Sequence, residues 1–468
     1  MRPSPRFTLL CVLFVFMFAF TVGVYAQTSG DSAIARSSVA SGQADFPAHS
    51  PIDVSSGYPG MLTISSSVVL DENGAIVSGP TGNAGLSGSS VRIGGGNDDH
   101  FDIDDRRPNR PQIDGVISLA TFDGAFTAQA GPSAGRDFRF TMMGNDPRLG
   151  GTTVFPANIS EVSLQLLNAD GSVFTTVPFD PFEQRTLESP NFEPLDYRSG
   201  RNIEYGDAVH RAQFFNIMKR DWHTLLIPKV VNKVTIVVPF SVNIQLSNGS
   251  IIQARSYFTG TAADGSTFVL MLSPLFNLLF SNEVVSEIVA GNFTTNGLNT
   301  TMFPNTFLFN LNVNNPNTPG SCCVLGFHTF FRDGVFPQSR WVTQYASWIS
   351  PGLFGAGFED VTALSHETAE AIADPFVNNP TPNWQFPGVP ATAKVCQANL
   401  EEGDPIEVLA NATIPITVKE PHFTFTYHPQ IIPLLQWFEM GATSNAIDGA
   451  FSFPDETTLP HSALPCPQ

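Results

Sequence analysis

Apolar and polar residues alternate with a period of two along much of this 468-residue chain, which restricts most of it to strands with one face in a core. The pattern runs through "VISLATFDGAFTA", "DFRFTMM" and "SEVSLQLLNADGSVFTTVPF", between Val116 and Phe179, where the Asn168–Gly171 tetrapeptide reads as a hairpin turn. It resumes in "KVTIVVPFSVNIQLSNGSIIQARSYF", with "SNGS" as a second turn, and in "NTFLFNLNVN", "CVLGFHTFF" and "WVTQYASWI". Forty Phe against seven Tyr and five Trp, with only 14% charged residues, fit a large strand-rich interior. The period changes at "YGDAVHRAQFFNIMKRDWH", where Ala208, Ala212, Phe215 and Met218 fall at helical intervals. Another helix is expected near Ser281 to Ala290. The apolar stretch Thr267 to Phe280 is interrupted by Pro274 and reads as core.

The ends read differently. Arg2 and Arg6, an apolar run from Phe7 to Val24, and Val24-Tyr25-Ala26 describe a secretory signal peptide with Gln27 as the mature start. From Gln27 to about Gly60 the chain is rich in Ser, Ala and Gly and reads as a flexible leader. The pieces "MLTISSSVVL" and "GAIVSG" are candidate weak strands, and the acidic run Asn97 to Asp105 reads as a solvated loop without the spacing of a calcium-binding loop. The expected organisation is a signal peptide at 1–26, a largely disordered leader at 27–110, a β-rich region at 111–200 and an α+β domain at 201–468. A net charge of −19, or −21 once Arg2 and Arg6 are removed, argues against nucleic acid and anionic membrane as partners. Beyond the signal peptide four cysteines remain. Adjacent cysteines rarely bridge, so Cys322 and Cys323 are expected to pair with Cys396 and Cys466, in either order.

Chemistry concentrates in "ALSHETAEAIADP", Ala363 to Pro375. Asp360 or Thr362 can cap a helix there, and Pro375 ends it. His366, Glu370 and Asp374 then stand at i, i+4 and i+8 on one face, so His366 and Glu370 can share a metal ion. Asp374 lies about 12 Å along the axis from His366, too far to join them, and is expected to orient a neighbour or close the helix. Glu367 occupies the position that supplies the general base in His-Glu-x-x-His metallohydrolases, although here the second histidine is a glutamate. A third ligand is expected from "NLEEGDP": Glu401, or Glu402 in its place, with Asp404 supporting it from behind, an arrangement similar to gluzincin proteases. The ion would be a divalent metal, zinc foremost, with manganese, calcium and iron suited to so carboxylate-rich a set. A helix whose acids only hydrogen-bond to neighbouring strands accounts for the same spacing. His210, His223, His422 and His428 read as surface or packing residues, and no nucleophile elbow, phosphate loop or dinucleotide fingerprint is present.

"CCVLGFH", "QYASW", "DVTALSHETAEAIADPFVNNPTPNW" and "CQANLEEGDP", in that order, resemble the plant phosphate-induced, EXORDIUM-like secreted proteins and similar bacterial exported proteins, over roughly Leu225 to Asp404. The resemblance implies an extracellular, wall- or matrix-associated protein with a zincin-like helix. It supports His366, Glu367, Glu370, Asp374, Glu401 and Asp404, and it adds His328 as a metal ligand, at a Gly-Tyr-His segment whose middle residue is here Phe327. The expectation is an α+β chain whose zincin-like C-terminal domain, with a mixed sheet and a motif-bearing helix, follows a β-rich region. It would be a secreted metallohydrolase of peptidase type acting on peptide or wall material, or a non-catalytic binding module built on the same polar cluster.

Overall fold

The computed structural model describes residues 119–466 except 198–201, 247–248, 334–338, 355–356, 388–395, 408, 421–422 and 443, together with strand backbone at 61–70, 76–78 and 91–94. The expected signal peptide, the leader before residue 61, the acidic run 97–105 and His422 lie outside the described residues. The rest is a mixed α+β architecture of several sheets and a few helices. No helix among the described residues is long and apolar enough to cross a membrane.

The largest sheet contains β1 (Val91–Gly94), β2 (Thr152–Leu167), β3 (Val173–Val177), β4 (His223–Val238), β5 (Leu298–Pro304), β6 (Gly326–Asp333) and β7 (Arg340–Trp348). Its order is β4-β2-β5-β7-β6-β1, with β3 paired to β2 through the predicted hairpin. The first four strands in that order are parallel; β6 and β1 are antiparallel additions. Strands on both sides of residue 200 therefore share one sheet.

Alternation assigns the faces. Phe327 and Phe331 of β6 and Tyr345 of β7 join a core formed with helix α3 (Ser273–Val289), while Phe330, Val342 and Ala346 point the other way, into the core of helix α4 (Thr362–Ala373). His328 shares the side of Phe330. Helix α3 (Ser273–Val289) is longer than the sequence implied. Pro274 stands in its first turn, where a missing N–H costs nothing, so the proline starts the helix instead of breaking it. Helix α1 (Asp180–Leu187) is peripheral, and α2 (Tyr205–Gln213), shorter than its periodic stretch, packs on α4.

Helix α4 (Thr362–Ala373) lies across β6 and β7 with all twelve residues buried. Its N-cap position is Val361, which makes no side-chain cap. Asp360 instead accepts N–H bonds from Val361 and His428, and Thr362 Oγ1 lies 2.7 Å from the His428 carbonyl. At the far end Asp374 accepts the N–H groups of Asn378 and Asn379 at 2.9 and 3.1 Å. The chain then forms a three-stranded sheet from Pro380–Gln385, Cys396–Asn399 and Leu464–Pro465, around Trp384.

The disulfides differ from expectation: Cys322 bonds to Cys323 and Cys396 to Cys466. Cys322 and Cys323 lie on Pro319–Val324, the edge of a separate four-stranded sheet, where they pack on the first two cores. Cys466 belongs to the third, with Trp384. The two cysteine-bearing regions are thus held in different layers.

Glu204, at the N-cap position of α2, is buried and accepts the Leu226 N–H at 2.6 Å. Burial, helped by the charges of Asp207 and Glu193, outweighs that bond and raises its carboxyl from 4.5 to about 8. The folded state then holds a proton that the unfolded chain releases, so stability falls as pH rises from about 4.5 through about 8. Glu204→Gln keeps an acceptor for Leu226, and its melting temperature is expected to fall less than the wild type's between pH 5 and 8. Parallel melting curves for the two chains would refute the assignment.

Candidate metal centre

Two histidines face one another across Glu370. From α4, His366 Nε2 lies 3.1 Å from Glu370 Oε1, 3.7 Å from Asp404 Oδ1 and 3.9 Å from Glu367 Oε1. From β6, His328 Nδ1 lies 3.2 Å from Glu370 Oε2, 3.8 Å from Glu367 Oε2 and 3.9 Å from Glu401 Oε2. These six side chains come from a strand, a helix and the turn after Cys396–Asn399, and none is more than 4% exposed.

The outer nitrogen of each imidazole is committed. Gln430 Nε2 donates to the Gly403 carbonyl at 2.5 Å, so Gln430 Oε1 accepts from His366 Nδ1 at 3.0 Å. Tyr205 in turn donates to the Gln430 carbonyl, and Gln430 N–H to Ser365 Oγ. The His328 Nε2–H donates to the Asp374 carbonyl at 3.1 Å, and a carbonyl only accepts. In the neutral form each ring therefore turns a lone pair toward carboxylates. An obligate acceptor behind a metal-ligating histidine fixes its tautomer in this way.

Close backbone approach completes the packing. The Gly403 N–H donates to Glu370 Oε1 at 3.0 Å, and a Cβ on Gly403 would stand 2.5 Å from the His366 ring. A Cβ on Gly326 would stand 2.6 Å from Glu367 Oε1. Glycine is required at both positions for the turn and the strand to come this near to α4.

Burial dominates the electrostatics. It raises Glu401 to about 8, with Glu370 adding to the effect, and raises Glu367, Glu402 and Asp404. Burial alone would raise Glu370 as well, but the two imidazoles hold its carboxyl below the usual range. Burial would lower His328, yet Glu367, Glu370 and Glu401 hold it well above the ordinary histidine value. Asp374 is raised to about 7 by burial, against the pull of His328 and its two N–H donors.

Each residue expected at the site can now be placed. His366, Glu367, Glu370, Glu401, Asp404 and His328 come together. Asp374 lies behind His328, holding it through its carbonyl while its carboxylate closes the helix. Asp404, expected behind Glu401, turns Oδ1 toward His366 itself, and its Oδ2 accepts from Gln397. Glu402 points instead to Gln213 of α2. Sequence reasoning missed Gln430 and both glycines. Nothing in "YHPQII" marks Gln430, whereas a glycine beside each ligand segment, in "GFH" and "EEGD", was a readable hint.

Among the described residues, His210 fits a packing role, and His223 and His428 each pair with a carboxylate. His210 is buried among Phe122, Phe214 and Trp222 with no hydrogen bond from either nitrogen, and burial lowers it to about 3. His223 pairs with Asp207 at 2.7 Å, and His428 with Asp360 at 2.8 Å. The described residues thus contain buried His/Glu/Asp groups capable of chelating a metal, among them His328 with Glu367 and Glu370, and His366 with Glu370 and Asp404. Comparison with models of protein families, with curated proteins and with solved structures finds no match for the chain.

The packing of Gly403 is testable. Gly403→Ala is expected to destabilise the fold by about 1–3 kcal/mol, as overpacking does, because either the ring or the turn must shift. The midpoint of urea unfolding measures it. An unchanged midpoint would show that the turn does not press on His366 as described.

Proposed function

We propose that the centre around α4 binds a divalent cation, and that this cation locks together β6, α4 and the 401–404 turn of an exported protein. The observation that carries the reading is a pair of buried oxygens, Glu367 Oε2 and Glu370 Oε2. Neither accepts a hydrogen bond, and both face His328 Nδ1. Two ligands about 2.1 Å from a shared ion at a tetrahedral angle stand roughly 3.4 Å apart. The separations of 3.7 to 3.9 Å are too long for hydrogen bonds but suit ligands around a common ion. His366, His328, Glu370, Glu401 and Asp404 are the residues that would hold it. Mixed imidazole and carboxylate donors suit zinc, manganese or iron(II).

A catalytic role is the second reading, favoured by the place of Glu367. Its carboxylate follows His366 directly and is held up by burial, so it can take a proton at Oε2. A bound divalent cation would polarise a carbonyl and acidify water, which is the chemistry of a metallohydrolase. Against it, the six side chains are almost wholly buried, and a peptide would need an opening beside Glu367 to reach them. The resemblance to EXORDIUM-like secreted proteins and the Cys396–Cys466 disulfide support an extracellular setting, with wall or matrix material as the partner.

Elemental analysis of purified wild type is expected to find a divalent metal, and Glu370→Ala to lose it at least tenfold. Equal contents would remove the ligand assignment. If metal-loaded wild type cleaves members of a broad peptide library and Glu367→Gln stops the cleavage while keeping its metal, the hydrolytic reading prevails. No cleavage by the loaded wild type leaves the cation-locked module.

A further inference from the structure

The donors around Glu370 divide into two sets. His366 Nε2, Asp404 and Glu370 lie within 4.8 Å of one another in one, and His328 Nδ1, Glu367 and Glu370 do so in the other, with Glu370 alone common to both. Its two oxygens are shared out, Oε1 toward His366 at 3.1 Å and Oε2 toward His328 at 3.2 Å. Glu367 repeats the arrangement at longer range, with Oε1 3.9 Å from His366 and Oε2 3.8 Å from His328. Each imidazole also has a carboxylate of its own, Asp404 for His366 and Glu401 for His328.

Building on the cation reading above, we propose that this centre holds two divalent cations. One lies between His366 and Asp404 and the other between His328 and Glu401, with Glu370 bridging them and Glu367 spanning the same gap.

Charge supports two ions over one. With all four carboxylates ionised and both imidazoles neutral, two divalent cations balance the charge of a site whose residues are at most 4% exposed. An uncompensated buried charge is strongly unfavourable. One other acid cluster has a lysine at its centre. Glu161, Asp180 and Glu183 surround Lys233 Nζ at 3.4, 3.9 and 2.5 Å, and Lys233 reaches solvent. Around Glu370, Glu367 Oε2 and Glu370 Oε2 are buried and accept no hydrogen bond, with His328 Nδ1 at 3.8 and 3.2 Å. Bridging also explains why both oxygens of one carboxylate are needed. A lone ion at His366 would use Oε1 and leave Oε2 to His328 Nδ1, 3.2 Å away. Two imidazoles and four carboxylates are moreover the donor inventory of carboxylate-bridged di-iron and di-manganese centres in helix bundles, here assembled from a strand, a helix and a turn.

The test is Mn(II) titrated into metal-stripped full-length protein, followed by elemental analysis and by electron paramagnetic resonance at saturation. The expected result is two Mn(II) per chain with a spin-coupled multiline spectrum, since paired ions of this kind stand about 3.5–4 Å apart. His328→Ala and His366→Ala are each expected to retain one ion with an uncoupled six-line signal, and Glu370→Gln to lose the coupling. One Mn(II) per wild-type chain with an uncoupled signal would overturn the two-ion proposal and leave the single-cation reading standing. No binding of Mn(II), nor of Zn(II) in a parallel titration, would overturn both. The wild-type measurement decides between these even if a variant fails to fold.

Discussion

Glu370 is the point on which the site depends. It is fully buried, yet its carboxyl is held in the ionised form by an imidazole on each side and by the Gly403 N–H. A buried carboxylate persists only when it is paired and hydrogen-bonded. The groups that do this come from three places: β6 brings His328, α4 brings His366, and the turn before α5 (Asp404–Glu407) brings the Gly403 N–H. The carboxylate therefore makes those placements interdependent. Removing one partner leaves the others facing an uncompensated charge, so the cost of a substitution here includes its neighbours.

The scaffold holds the strand contribution through sheet periodicity. Because Phe327 and Phe331 are committed to the α3 core, His328 has no choice but the α4 side, and Gln344 opposite it on β7 donates to Thr300 and Thr368. A one-residue slip would send the histidine into phenylalanine packing and Phe327 into the carboxylates. The aromatic core, with Phe276 against Phe280, Phe303, Phe327 and Tyr345, opposes that slip. Apolar packing on one face of the sheet thus sets the electrostatics of the other.

Much of this was legible in sequence because it is local. Alternation showed β2, β6 and β7, the Asn168–Gly171 turn showed its hairpin, and Pro375 marked the end of α4. What could not be read was burial. A helix with His366, Glu367 and Glu370 in two turns has the composition of a surface, and only long-range partners such as Gln430 and His328 make it a core element. Pro274 misled for a similar reason, since a proline's meaning depends on whether the helix begins before or after it. Gly326 and Gly403 stand beside the motif segments in the sequence, but which side chain their backbone approaches is set by the fold. The cysteines were misread because the rule against adjacent bridges is statistical, and the layers holding the other two could not be seen.

The observed pairing changes what brings the site together. With Cys322 bonded to its neighbour, no disulfide joins the His328 region to the 396–404 segment, and side-chain contacts make that connection, through Glu370 of helix α4 and through the approach of His328 to Glu401. The Cys396–Cys466 bond acts one step back. Closing a loop across a separation of 70 residues, it removes chain entropy from the unfolded state worth about 4 kcal/mol. The three-stranded sheet it clamps ends at Asn399, two residues before Glu401. Leu400 N–H then bonds to the Asn379 carbonyl, next to the residues that Asp374 caps. The turn bearing Glu401 and Asp404 is thus anchored from both directions, by the disulfide on the strand side and by the end of α4 on the other. Side chains held from outside in this way are preorganised, because the entropy of gathering them is lost on folding and would not be lost again on binding.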